Sequence, residues 1–255
     1  MVLLLAILIV LLIYLIIIIE MLGKREKIRE YGRYGIAVAV PILFLDVTYL
    51  WKLLGIFLHE ALVIYLIAIL SPMMFLKNFS VTTMGVFYSS ELGLRGFSLF
   101  RTKLRKFLTY TLGALLISLA IAWLTVEILQ PKPSGLLEDM MEEYQVEEMG
   151  SLPKSLIIPL IMAASISEEV SYRLGIQNFL ASKLRLVSER EYQVAILLSS
   201  SLWAMSHAYN LDPWYSGLVY TFPMGIILGN LFRRFGIESC LIVHSLYNLI
   251  VVYVP

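Results

Sequence analysis

Apart from Tyr14, every residue from Val2 to Ile19 is aliphatic. About 20 apolar residues are what an α-helix needs to cross the hydrocarbon core of a bilayer. No Lys or Arg precedes this run and no small-x-small cleavage site follows it, so it reads as a retained first helix rather than a secretion signal. Composition extends the argument to the whole chain. Of 255 residues 59% are hydrophobic and only 15% are charged, with a mean hydropathy of +0.82, whereas soluble domains carry about 25% charged residues. The expected fold is therefore all-α, a polytopic membrane protein. A net charge of +1 leaves no electrostatic footprint for nucleic acid, and the single cysteine, Cys240, excludes an internal disulfide.

Seven further stretches have the character of spans: Gly35–Trp51, Leu53–Leu70, Phe107–Leu129, Ser155–Ala181, Glu191–His207, Trp214–Phe232 and Ile237–Val254. The distribution of Lys and Arg supports about eight transmembrane helices. Lys24, Arg25, Lys27, Arg29 and Arg33 follow the first span, and Arg95, Arg101, Lys103, Arg105 and Lys106 follow the third. Lys183, Arg185 and Arg190 follow the fifth, and Arg233 and Arg234 the seventh. The intervening connections are poor in base or acidic, and cytoplasmic loops collect the positive residues. A multi-pass protein of the cell membrane with both termini extracytoplasmic is expected. The chain divides into an N-terminal four-span half (1–130), an acidic extracytoplasmic loop (131–153) and a C-terminal four-span core (154–255). Within the first half, 71–106 is expected as a basic amphipathic loop on the cytoplasmic surface, where anionic lipid attracts bases.

The C-terminal half carries the chemistry. Glu168, Glu169 and Arg173 lie in the middle of a span, where each ionisable group costs roughly 2.5–3.5 kcal/mol on insertion scales. Glu169 and Arg173 are four apart and share a helix face, so they can pair. Glu168 is turned about 100° away, and a buried carboxylate without a cation is a usable proton acceptor near neutral pH. On the next span Ser200, Trp203 and His207 form one stripe, and on the last His244 and Asn248 project together. Interhelical hydrogen bonding accounts for each set separately; together they place two acids, an arginine, two imidazoles and an amide on three spans.

Glu168-Glu169-x-x-x-Arg173, Trp203-x-x-x-His207 and His244-x-x-x-Asn248 resemble the three motifs of the CAAX protease and bacteriocin-processing (CPBP, or Abi) family of glutamate-dependent intramembrane endopeptidases. The resemblance covers about Ser151 to Tyr253. It departs at Trp203, where Phe is usual, and at Leu174, where Gly often follows the arginine. It implies that Glu168 and His207 activate a water, that His244 and Asn248 stabilise the oxyanion, and that Glu169, Arg173 and Trp203 support them. The implied substrate is a peptide or prenylated peptide, with the bilayer as partner and no cofactor.

Several alternatives accompany that reading. Glu168, His207 and His244 have the donor types of a two-histidine, one-carboxylate zinc site. The same polar cluster suits a proton- or cation-coupled transporter, or a non-proteolytic immunity or adaptor protein. His59-Glu60 begins like a zinc-protease helix but lacks a second His four residues on, which makes His59 interfacial or structural. Gly225 and Gly229 are expected to allow close helix contact inside the core. Measured from the middle of each expected span, His207 sits about 9 Å outward of Glu168 at 1.5 Å per residue, a gap the fold has to close.

Overall fold

A computed structural model describes residues 2–57, 60–94, 96, 104–133, 154–208 and 211–253. Among them are eight helices. They are α1 (Val2–Gly23), α2 (Arg25–Phe57), α3 (Glu60–Glu91), α4 (Leu104–Leu129), α5, α6 (Glu189–His207), α7 (Tyr215–Phe235) and α8 (Ile237–Tyr253). Helix α5 is continuous but changes its winding: α-helical over Lys154–Glu169, π-helical over Val170–Gln177 and α-helical again over Asn178–Lys183. Among the described residues, Leu4–Gly23, Leu62–Glu91, Leu104–Leu129 and Tyr215–Phe235 are long and apolar enough to cross a membrane. The chain is an all-α polytopic membrane protein, and α5 and α6 owe their lower hydropathy to polar side chains turned inward.

Local sequence sets the element ends. Ser188 caps α6: its hydroxyl accepts from the Glu191 amide while the Glu191 carboxylate accepts from the Ser188 amide, a reciprocal box that satisfies two orphan donors. Gly236, at φ 82°, ends α7 and lets α8 begin at the next residue. Gly225 and Gly229 press α7 against α6; an added Cβ would stand 2.8 Å from Ser200 Cβ and 2.7 Å from Ile196 Cγ2. They serve close contact inside the core, as expected.

The π-helical stretch of α5 lies at the centre, packed by α3 on one side and α6 on the other, with all eight of its residues buried. A π turn leaves carbonyls out of the α-helical ladder, and one of them, Tyr172 O, accepts the Ser199 hydroxyl of α6 at 2.8 Å. Further along, Asn178 and Gln177 tie four helices together. Asn178 donates to Ser89 Oγ of α3 at 2.6 Å and accepts from Tyr192 of α6 at 2.8 Å; Gln177 donates to Tyr192 and to Gly229 O of α7. Helix α4 packs on α7 and α8, so the boundary near residue 130 does not separate two independent bodies.

Two expectations need correction. The segment 71–106 is not a surface loop over most of its length: α3 continues to Glu91, with Asn78 and Ser80–Ser89 buried. Its Ser, Thr and Gly residues, which look loop-like in sequence, face α5 and α2 instead of water; 97–103 lie outside the described residues. Lys77, expected beside that loop, is inside α3, 3.5 Å from Ser167 Oγ and over the Tyr14 ring at 5.2 Å. Of the acidic loop, 134–153 lie outside the described residues, as does His59. The start of that loop is fixed: Lys132–Pro133 pairs antiparallel with Leu211–Asp212, Lys132 opposite Asp212.

Candidate active site

Glu168 is the last residue but one before the π-helical stretch, and three side chains converge on its Oε2. Trp203 Nε1 donates to it at 2.7 Å, His207 Nε2 stands at 3.5 Å and His244 Nε2 at 3.9 Å. The offset expected between Glu168 and His207 is therefore closed. Counted from the α5–α6 turn, Glu168 is 15 residues before Lys183 and His207 is 18 after Glu189. Three residues of rise amount to about 4.5 Å, which two long side chains span. The reference for facing residues on consecutive helices is their shared turn, not the centre of each apolar run.

The imidazoles are held by their other nitrogen. His207 Nδ1 is 2.9 Å from Trp203 O. A carbonyl only accepts, so Nδ1 carries the proton and a neutral ring offers its Nε2 lone pair to the Glu168 side. Ser206 Oγ donates to the same carbonyl at 2.6 Å. His244 Nδ1 is 2.9 Å from Glu169 Oε1 and likewise donates when that carboxylate is ionised. The Trp203 indole lies edge-on to both rings, with centroids 5.2 Å from His207 and 5.4 Å from His244. It packs the two histidines and orients the carboxylate between them.

The two glutamates differ as the helical geometry requires. Glu169 is fully buried, its Oε2 accepting from Arg173 Nε at 3.3 Å; the Arg173 guanidinium stacks over Trp203 at 4.9 Å. Glu168 has no Lys or Arg partner among the described residues, and its side chain is 28% exposed. That exposure is to a cavity of about 320 Å³ walled by Glu168, Trp203, His207, His244 and Asn248. Asn248 Nδ2 donates to Ser165 Oγ at 3.2 Å. All seven residues picked out by the sequence thus belong to one cluster, and Glu168, Trp203, His207, His244 and Asn248 face the same space.

Sequence reasoning missed part of the wall. Tyr220, Thr221 and Met224 of α7, Tyr247 of α8 and Ala122, Thr125 and Val126 of α4 complete it. The spacing of Thr221 and Met224, and Tyr247 beside Asn248, carried a signal; α4 carried none, because its contribution is made by small apolar side chains. Gly217 belongs to the same corner: a Cβ there would lie 2.6 Å from His207 O, so the start of α7 can pass this close to the end of α6 only without a side chain. Among the described residues no group of three or more His, Cys, Asp or Glu is arranged to hold a metal ion.

Fold and site together define a class: a polytopic helical membrane protein that gathers a carboxylate, two imidazoles and an amide at a cavity within its helices. Residues 151–250 match the family described as type II CAAX prenyl endopeptidase Rce1-like. The resemblance read from the three motifs holds over that stretch, which is an Rce1-like segment of the chain. The sporulation-killing factor biosynthesis protein SkfC of Bacillus subtilis (strain 168) is 30% identical over 147 residues, 57% of this chain and 28% of that protein. The chain thus spans less than a third of that relative's length. No solved structure matches it. The Rce1-like family is generally one of proteases, which supports a peptidase.

Proposed function

We propose that the protein is a glutamate-dependent intramembrane endopeptidase of the CAAX-protease type, hydrolysing a bond near the C-terminus of prenylated or other membrane-associated peptides. One observation carries this reading: two imidazole Nε2 atoms and an indole N–H converge on one oxygen of Glu168 at the wall of a cavity. A water seated between Glu168 and His207 meets two groups able to take its proton. Its oxygen adds to the scissile carbonyl carbon as that proton moves to the Glu168–His207 pair. The C–N bond then breaks, and the pair returns the proton to the leaving amine. General-base catalysis of this kind contributes about 10²–10⁴-fold.

The oxyanion formed on the way needs donors. Asn248 supplies Nδ2 by releasing Ser165. With Nδ1–H committed to Glu169, His244 can donate from Nε2 only as the imidazolium, a state the Glu169 carboxylate balances. Glu169 and Arg173 therefore act through His244 and are positioning residues. A lost oxyanion donor costs about 2.7–4 kcal/mol in well-studied hydrolases.

The test is cleavage of fluorogenic peptides, prenylated and unprenylated, by purified protein. Glu168→Gln and His207→Ala are expected to lower kcat by about 10²–10⁴ and Asn248→Ala by about 10²–10³, with unchanged melting in detergent. Full activity after exhaustive chelation is expected. Cleavage that survives Glu168→Gln overturns the mechanism, and activity that disappears on chelation and returns with zinc gives the site to a metal. Absence of cleavage together with Glu168-dependent ion flux in liposomes favours the transport reading.

A further inference from the structure

The two ends of the helix bundle differ in charge, and the cavity belongs to one of them. The Lys- and Arg-rich connections gather at one end through direct contacts. Lys183 of α5 pairs with Glu20 of α1 at 2.6 Å, and Ser182 donates to Glu91 at the end of α3 at 3.4 Å. The amide of Ile237, at the α7–α8 junction, donates to Gly96 O at 3.0 Å. All three contacts join connections that carry the positive residues. At the opposite end the exits of α4 and α6 are joined by the Lys132–Pro133 and Leu211–Asp212 ladder, and the connection from α6 to α7 contains no Lys or Arg.

The cavity reaches that second end. It runs from Glu168 and His244 past His207, the last residue of α6, to Pro131, Leu211 and Val251. Val251 lies seven residues beyond His244 on α8, about 10 Å further along at 1.5 Å per residue. None of its lining residues comes from a basic connection. Positive residues near helix ends stay on the cytoplasmic side.

We infer that the Glu168 cavity opens on the extracytoplasmic face, so that its substrate is a peptide already carried across the bilayer or held in its outer leaflet. This deepens the peptidase reading and rests on it for the word substrate; the sidedness itself rests on charge and geometry alone. It also states which reaction class comes first: export of the peptide precedes its cleavage.

The chain is suited to a direct test, because Cys240 is its single cysteine and is buried. In a Cys240→Ala background, single cysteines are placed at Val251 and Asp212, at the cavity end, and at Val187, in the α5–α6 connection. Intact cells of the expressing host and inside-out vesicles are treated with a membrane-impermeant maleimide. Val251→Cys and Asp212→Cys are expected to label in intact cells, and Val187→Cys at least tenfold more in inside-out vesicles. The reverse pattern, or equal labelling of all three positions from both sides, overturns the inference. Asp212 and Val187 are exposed, so they report sidedness even where Val251→Cys folds poorly. Labelling is independent of hydrolysis: a protein that labels as expected but cleaves nothing retires the peptidase and leaves the orientation standing.

Discussion

Helix α1 and the π-helical stretch of α5 are both parts of membrane helices, yet they are built on opposite plans. Over Leu4–Gly23 the mean hydropathy is 3.2 and most side chains face outward; Leu4, Leu11, Leu12 and Leu22 are each more than half exposed. From Val170 to Gln177 every residue is buried, including Ser171, Arg173 and Gln177. Lipid is as apolar as leucine, so outward leucines gain little from the protein. Polar groups must find partners inside it, because hydrocarbon supplies none. The site exists because α5 exposes none of its polar residues to lipid, and substitutions in the two regions should differ accordingly.

The largest structural effect is expected at Arg173. Arg173→Met leaves the buried Glu169 carboxylate with His244 as its remaining partner, and breaking a buried pair from one side costs about 3–5 kcal/mol. The readout is thermal unfolding in detergent. The double variant Arg173→Met with Glu169→Gln should recover much of the loss, since it removes the stranded charge. A single variant as stable as the parent would mean that the pair does not hold α5 in place.

Trp203→Phe sharpens the comparison from within the site. The ring stays and keeps its contacts with both histidines, while the indole N–H that donates to Glu168 Oε2 at 2.7 Å is lost. A hydrogen bond to a charged group contributes about 1.5–3 kcal/mol. The expected result is a kcat lower by about tenfold or more, KM little changed and melting within a few degrees. Because the family usually has Phe here, an unchanged rate would show that the bond is incidental to how Glu168 is held.

The sequence carried the spans, their alternating charge and the seven cluster residues, because each leaves a one-dimensional trace: length of apolar run, density of Lys and Arg, spacing of three or four. Helix α3 was legible only to Leu70. Its continuation through Ser80–Ser89 is full of Ser and Thr, which read as loop until the partner α5 is known, and Lys77 went astray with it. The π-helical winding left no trace, since Val170–Gln177 has no residue that an α-helix would refuse. The wall from α4 was hidden for a similar reason: Ala122 and Val126 look like lipid-facing residues until α7 and α8 are placed beside them.

The smallest effects test the contrast most finely. Ser199→Ala deletes the hydroxyl that satisfies Tyr172 O in the π-helical stretch, and a buried acceptor left without its donor costs about 1–3 kcal/mol. Leu12→Ala removes more atoms, but from a side chain 56% exposed on α1, where the expected change stays within about 0.5 kcal/mol. In a water-soluble protein burial would be the reason to leave both sites alone; here the smaller, polar deletion should be the costlier one. Melting of the two variants in the same detergent decides it. If Leu12→Ala proves as damaging as Ser199→Ala, α1 is covered by protein rather than lipid along that face, and the division between an outward apolar shell and an inward polar core fails at its outer boundary.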